Sequence, residues 1–102
     1  MAYENALAAL SDTTRRLVFE RTLAAPRPVG AIAEGLPVSR AAVSQHLRVL
    51  KEAGLVTQRR QGTRRLYMAN PRVLGELRAA IEAMWQTALS GMTAAIEEAE
   101  DQ

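Results

Sequence analysis

The chain has 102 residues, of which 48% are apolar and 24% are charged, proportions typical of a soluble globular protein. This length suits one domain, so we expect a single folded unit over residues 1–102. The absence of cysteine excludes disulfides and thiolate metal sites. No apolar stretch approaches the roughly 20 residues of a membrane helix, and the N-terminus lacks the pattern of a secretion signal. We therefore expect a cytoplasmic protein without a membrane partner.

Charge is distributed unevenly along the chain. Residues 1–68 carry eleven basic and five acidic side chains, a net +6, whereas residues 69–102 carry two and six, a net −4. Twelve of the thirteen basic residues are arginine, whose planar fork suits phosphates and guanine edges. An alanine- and arginine-rich bias can equally reflect genomic composition. The distribution nevertheless indicates that the basic part of the chain has a face that binds a polyanion.

The first third of the chain predicts three helices. Apolar residues recur at helical spacing from Tyr3 to Leu10, and Asp12 follows as a capping residue. A second helix is expected from Thr13 to about Ala25. Its apolar side is assigned to Leu17, Val18, Thr22 and Leu23. A short third helix has its apolar positions at Val29, Ile32, Ala33 and Leu36, and the glycine and proline that follow end it.

Residues 39–53 have the clearest helical pattern in the chain. Val43, Leu47 and Leu50 fall within one narrow sector of the helical wheel. Gly54 follows at the position where a left-handed cap is expected. The opposite side carries Ala41, Ser44, Gln45, Arg48 and Glu52. The pattern predicts a helix that buries one face and exposes a polar one.

Two short strands and a long helix complete the predicted elements. Residues 55–60 and 64–68 indicate a β-hairpin whose tip requires Gly62. The last helix is expected from Pro71 to about Ala99, a length of roughly 44 Å. That is longer than the core of so small a domain can cover, so part of its apolar stripe needs a partner. That stripe includes Met84, Trp85, Leu89, Met92 and Ile96. The alternative is that Trp85 fills the core of the monomer.

The order of elements predicts a mainly α fold with a small β-hairpin wing. The short third helix, a tight turn at 35–38 and the helix at 39–53 form a helix-turn-helix, and the hairpin makes it winged. An α-helix fits the major groove of DNA, where polar side chains contact base edges. The side chains expected to contact DNA are Ser39, Arg40, Ser44, Gln45 and Arg48 on the helix, and Arg59, Arg60, Arg64 and Arg65 on the hairpin.

Three segments, residues 9–16, 38–56 and 62–67, are similar to the ArsR/SmtB family of bacterial winged-helix transcriptional regulators. The family usually has proline where this chain has Thr13. The resemblance implies a homodimer built from the first and last helices, which binds an inverted-repeat operator on double-stranded DNA. We expect a repressor, with its own promoter as one candidate target. The predicted dimer residues are Tyr3, Leu7, Leu10, Trp85, Leu89, Met92 and Ile96.

Many members of that family sense metals through cysteine pairs or through Asp, His and Glu on the last helix. Here His46 is the single histidine, for which we expect a structural or phosphate-contacting role, because a transition-metal site normally needs two or more N or S ligands. Nothing distinguishes the carboxylates Glu76, Glu82, Glu97 and Glu98 from a solvated helix face. We assign no cofactor and no metal ligand, and the effector stays unknown. A metal-responsive regulator with carboxylate or histidine ligands is an alternative.

An enzyme is not expected, because the chain has no cysteine, one histidine and no glycine-rich phosphate loop after a strand. The rival hypothesis is a winged-helix module that binds proteins. Such a module has no need of arginines on both the helix and the hairpin, so this pattern favours DNA.

Overall fold

The structure, a computed structural model, describes residues 2–101, which fold as five helices and one two-stranded antiparallel hairpin. In chain order the elements are α1 (Ala2–Leu10), α2 (Thr13–Glu20), α3 (Val29–Ala33), α4 (Arg40–Glu52), β1 (Val56–Gln61), β2 (Arg64–Ala69) and α5 (Pro71–Glu100). The predicted architecture of a winged helix-turn-helix is confirmed.

The hydrophobic core lies around α4. Helices α2 and α3 pack on α4, while α1 packs on α2 and on α5. Val43, Leu47 and Leu50 are 0% exposed, as their shared sector of the helix predicts. Complete burial of one such side chain stabilises the fold by about 1.5–3 kcal/mol. The rest of this core consists of Ala6, Ala9, Val18, Phe19, Ile32, Leu55, Val56, Ala69 and Val73.

Both ends of α4 are fixed by local hydrogen bonds. The Ser39 hydroxyl accepts a bond of 3.1 Å from the Ala42 backbone N–H, which would otherwise have no partner in the first turn. At the other end Gly54 has φ +80°, a conformation that glycine adopts without strain. The N–H groups of Gly54 and Leu55 bond to the last carbonyls of α4, each at 3.0 Å. The predicted start and end of this helix are therefore confirmed.

The predicted end of α2 is wrong by about five residues, because the helix ends at Glu20. The backbone N–H and the hydroxyl of Thr22 both bond to the Phe19 carbonyl, at 2.9 and 2.6 Å, and this tight turn replaces the next helical turn. Val18, Phe19 and Thr22 face the interior. Two other residues that were assigned to the apolar side are exposed, Leu17 at 39% and Leu23 at 51%. Because α2 ends at Glu20, Leu23 lies outside the helix, and the helical spacing that assigned it to the apolar side does not apply.

The hairpin forms close to the predicted positions, with Gly62 at its tip at φ +63°. Its base is attached to the helical body by a pairing that the sequence analysis did not predict. Arg27 forms an isolated antiparallel bridge with Tyr67, with reciprocal backbone bonds of 3.0 and 2.8 Å. The Ala69 N–H bonds to the Thr22 carbonyl at 3.0 Å. These contacts join the hairpin to the segment between α2 and α3.

Helix α5 extends well beyond the core. Its 30 residues span about 45 Å, and the buried residues Val73 and Leu77 belong to its first third. From Ile81 to Asp101 every residue is exposed. Trp85 is 57% exposed, so the alternative in which it fills the core of the monomer is excluded. None of the helices within residues 2–101 is both long and apolar enough to cross a membrane.

We expect Ser39→Ala to lower the free energy of unfolding by about 1 kcal/mol, because the Ala42 N–H loses its acceptor. Chemical denaturation monitored by circular dichroism measures this change. Ser39→Asn, which retains a capping oxygen, is the matched control and should stay close to the wild type. Equal losses in both variants would contradict the assigned cap.

The carboxylate of Asp12 makes the stability of the fold depend on pH in the acid range. Its carboxylate accepts the Arg15 N–H at 2.8 Å, and this bond, together with the charges of Arg15 and His46, holds the pKa of Asp12 below its ordinary value of 3.8. A lowered pKa means that the stabilisation is present above 3.8 and is lost as the pH falls through the folded-state value. We expect the stability advantage of the wild type over Asp12→Asn, which caps without titrating, to shrink between pH 5 and about pH 2. Urea midpoints at several pH values measure it, and a constant difference would contradict the assignment.

Candidate nucleic-acid interface

The side of α4 that faces away from the core presents polar and basic groups to solvent. Ser44, Gln45 and Arg48 are exposed and lie on one face of the helix, as the sequence predicts. Arg40 lies at its first residue, also exposed. Since the opposite face is buried, these side chains cannot turn inward. Their arrangement suits insertion of α4 into the major groove of a duplex.

Helix α4 and the hairpin together form a concave basic surface made of two adjoining hollows. The first, of about 550 Å³, is lined by Pro28, Val29, Gly30, Arg40, Ser44, Thr63, Arg64, Arg65 and Tyr67. The second, of about 360 Å³, is lined by Ser44, Arg48, Lys51, Gln58, Arg65 and Tyr67. Three residues border both hollows, and no acidic side chain lines either one. We call this continuous surface the basic groove.

Contacts within the groove fix the positions of its parts. Lys51 on α4 donates a hydrogen bond of 3.2 Å from Nζ to Oε1 of Gln58 on β1, which joins the helix to the hairpin. The Arg40 guanidinium lies against Gly30, where an added methyl group would be 3.7 Å from it. That is an ordinary van der Waals distance, so the Arg40 side chain lies close beside α3 at the edge of the groove.

The hairpin register places the four predicted wing arginines at different positions, on its two faces and beside its tip. Arg60 pairs with Arg65, and residues directly opposite each other in an antiparallel pair share a face. This is the face that borders the groove, since Arg65 lines both hollows. Arg64 lies beside the tip and lines the first hollow. Arg59 pairs with Leu66 and therefore belongs to the other face of the hairpin.

Arg48 also forms an ion pair within its own helix. Its Nε lies 3.7 Å from Oε1 of Glu52, and the two side chains are 71% and 70% exposed. Exposed pairs at this spacing contribute little to stability, because water and salt screen them. Arg48 can therefore exchange Glu52 for a base edge or a phosphate at small cost.

Three residues of the second hollow were not predicted from the sequence, namely Lys51, Gln58 and Tyr67. Lys51 could have been found, because it follows Arg48 by three positions and so lies on the same side of α4. Gln58 and Tyr67 are cross-strand partners, and their place in the groove depends on the hairpin register. The bridge between Tyr67 and Arg27 was likewise not predicted.

His46 is partly buried and lies close enough to Asp12 to lower its pKa, on the side of α4 that faces the start of α2. This position favours the structural role over contact with phosphate. Within residues 2–101, no three His, Asp or Glu side chains come together as a metal ion would require.

Comparison with known proteins agrees with this architecture. A family model described as a helix-turn-helix domain matches residues 10–59. The HTH-type transcriptional regulator Rv2034 of Mycobacterium tuberculosis is 48% identical over 94 residues, which cover 92% of this chain and 88% of that protein. The similarity thus extends over the helix-turn-helix, the hairpin and most of α5.

Solved structures of other proteins are similar to this chain over most of its length. An ArsR-like transcriptional regulator from Rhodococcus sp. RHA1 has a TM-score of 0.76 at 31% identity, covering 89% of both chains. The homodimeric winged helix-turn-helix DNA-binding domain Mb0332 from Mycobacterium bovis has a TM-score of 0.66 at 28% identity, covering 83% of this chain and 79% of that one.

These relatives are regulators and not enzymes, and their similarity covers both the fold and the elements that form the basic groove. The chain belongs to the ArsR-like family of winged helix-turn-helix transcriptional regulators.

Proposed function

We propose that this chain is a cytoplasmic repressor that binds an inverted-repeat operator as a homodimer, with residues 1–102 acting as one winged helix-turn-helix unit. The observation that carries the proposal is the basic groove, in which polar and basic side chains of α4 and arginines of the hairpin line one surface without an acidic residue. From α4 these are Arg40, Ser44, Arg48 and Lys51, and from the hairpin Arg64 and Arg65. A dimer bound at a promoter represses by excluding the polymerase, and its own promoter is one candidate target.

The polar side chains of α4 divide into two roles by their position on the helix. Gln45 and Arg48 project from its middle, where a glutamine pairs with adenine and an arginine pairs with guanine through two hydrogen bonds. Arg40 and Ser39 lie at the N-terminus, which favours phosphate. The Ser39 oxygen already accepts a bond from Ala42, so its own proton is the group that it can donate to DNA.

The hairpin arginines supply contacts that do not depend on sequence. Arg60, Arg64 and Arg65 lie on the groove face or at the tip, within reach of the phosphates or the minor groove beside the major-groove site. Arg59 lies on the far face, so we give it a smaller role in binding. The positive charge of the hairpin then raises the affinity for DNA of any sequence, while the side chains of α4 discriminate between sequences.

Two observations support the homodimer. Large apolar side chains of α5 are left in water, including Trp85 at 57% and Met92 at 64% exposure. Tyr3 of α1 borders an apolar hollow of about 660 Å³ along α5, so the first helix adds apolar surface next to that helix. Leu7 is 39% exposed, whereas Leu10 packs against the core and has less surface to offer. The homodimeric Mycobacterium bovis domain is a precedent.

We expect Arg48→Ala to weaken binding to a duplex selected by the wild-type protein from a randomised pool by about 5- to 150-fold, equivalent to 1–3 kcal/mol. Fluorescence anisotropy with unlabelled competitor DNA measures the affinity. Arg16→Ala is the matched control, because Arg16 is an exposed arginine on α2 outside the basic groove. An unchanged affinity in Arg48→Ala would refute the role of this helix face.

We expect Arg65→Ala to weaken binding to selected and scrambled duplexes alike, since it removes a contact with the DNA backbone. The slope of log affinity against log salt should become shallower by about 0.9 for one lost phosphate contact. Arg59→Ala, on the other face of the same hairpin, should change the slope less. Equal slopes for Arg65→Ala and the wild type would contradict the proposed role of the wing.

A further inference from the structure

A second hollow, separate from the basic groove, lies between α1, the start of α2 and the end of α4. Its volume is about 350 Å³, and we call it the interhelix pocket. The wall is apolar at Ala8, Ala9 and Val49, and its polar side chains are Asn5, Arg15 and Glu52. None of the residues that line this pocket borders the basic groove. A ligand bound here would therefore not occupy the surface that contacts DNA.

The guanidinium of Arg15 has more hydrogen-bond donors than the protein uses. Its Nη1 donates to the Ala9 carbonyl at 3.3 Å, at the end of α1. Its Nε is buried, and no acceptor among residues 2–101 bonds to it. The Asp12 carboxylate accepts the backbone N–H of Arg15 instead. Buried donors are rarely left unpaired, because the lost hydrogen bond costs free energy. A negatively charged group in the pocket would supply the missing partner.

Glu52 brings a negative charge to the same pocket. In the part of the chain that the structure describes, no ion pair joins Glu52 to Arg15, although both line this hollow. The amide of Asn5 adds a group that can both donate and accept hydrogen bonds. Opposite charges that border one hollow without contact suit a ligand that itself carries both charges.

We propose that the interhelix pocket binds a free α-amino acid with a small apolar side chain. The carboxylate of the ligand bonds to Arg15, its ammonium group pairs with Glu52, and its side chain packs on the apolar wall. A simple anion is repelled by Glu52 and a simple cation by Arg15, so the ligand needs both charges. The pocket volume lies at the lower end of the range for small-molecule sites, which suits a ligand of this size.

Glu52 also connects the pocket to the DNA-binding face. Its Oε1 lies 3.7 Å from Nε of Arg48, which lines the basic groove. An ammonium group that pairs with Glu52 competes with Arg48 and leaves this arginine available to DNA. The amino acid therefore raises the affinity for DNA, and DNA raises the affinity for the amino acid by the same factor. This coupling rests on the proposed function, whereas the binding of the amino acid does not.

Binding is measured without DNA, by titrating the ¹⁵N-labelled chain with L-alanine, L-valine and L-leucine. We expect at least one of them to bind with a Kd of about 1 mM or tighter. The largest backbone shifts should fall within residues 5–15 and 49–53. Two control ligands each lack one charge of leucine: 4-methylpentanoate has no ammonium group and leucinamide has no carboxylate. Both should bind about tenfold more weakly than leucine.

Three results of this titration would overturn the proposal. The first is that none of the three amino acids shows saturable binding up to about 10 mM. The second is that the shifts concentrate outside the pocket. The third is that 4-methylpentanoate binds as tightly as leucine, which would identify a site for carboxylates alone.

Glu52→Gln tests the coupling, because it keeps the size of an exposed side chain and removes its charge. We expect this variant to bind the amino acid about tenfold more weakly. It should bind the selected duplex about two- to fivefold more tightly than the wild type, since Arg48 has lost its partner. Saturating amino acid should give the wild type the same gain and the variant none. Glu20→Gln, at an exposed glutamate of α2 outside the pocket, is the matched control and should behave as the wild type.

The outcomes separate this inference from the proposed function. Amino-acid binding that is unchanged in Glu52→Gln would overturn the assigned site. Binding of the amino acid with no change in DNA affinity would overturn the coupling. A wild-type chain that binds the amino acid in the pocket but binds no DNA would contradict the proposed function and support the pocket assignment.

Discussion

The burial of one face of α4 is the constraint on which the rest of the structure depends. Val43, Leu47 and Leu50 are 0% exposed, and together they hold α2 and α3 against the helix. A helix fixed on one side in this way must present its other side to solvent in a single orientation. The same interaction that stabilises the fold therefore holds Ser44, Gln45 and Arg48 on the surface that we propose contacts DNA.

Asn70 connects α4, the hairpin and α5 at one point. Its backbone N–H bonds to the Leu55 carbonyl at 2.8 Å, and its side-chain amide donates to the Gly54 carbonyl at 3.0 Å. The amide oxygen also accepts the Arg72 N–H at 3.1 Å and so begins α5. The end of α4, the base of the hairpin and the start of α5 are thus linked directly. In the proposed homodimer, this link makes the distance between the two basic grooves depend on how the two copies of α5 are oriented.

The parts of the fold that local patterns specify could be predicted from the sequence. The apolar residues of α4 predict this helix, Gly54 predicts its end, and Gly62 predicts the tip of the hairpin. Each of these signals depends on a few neighbouring residues. The end of α2 could not be predicted, because a buried Thr22 bonds to the Phe19 carbonyl and stops a helical pattern that continues in sequence. The different faces of Arg59 and Arg65 could not be predicted either, because they depend on the register of the hairpin. The point where α5 leaves the core could not be predicted, because its apolar residues recur at helical spacing both before and after that point.

The central claim is that α4 and the groove face of the hairpin form the DNA-binding surface. Backbone amide chemical-shift mapping of the ¹⁵N-labelled chain, titrated with a duplex that it selects from a randomised pool, tests this claim most directly. We predict that the largest shifts fall within residues 39–51 and 58–67, while residues 81–101 of α5 change little. Shifts that concentrate on α5, or that spare α4, would contradict the account.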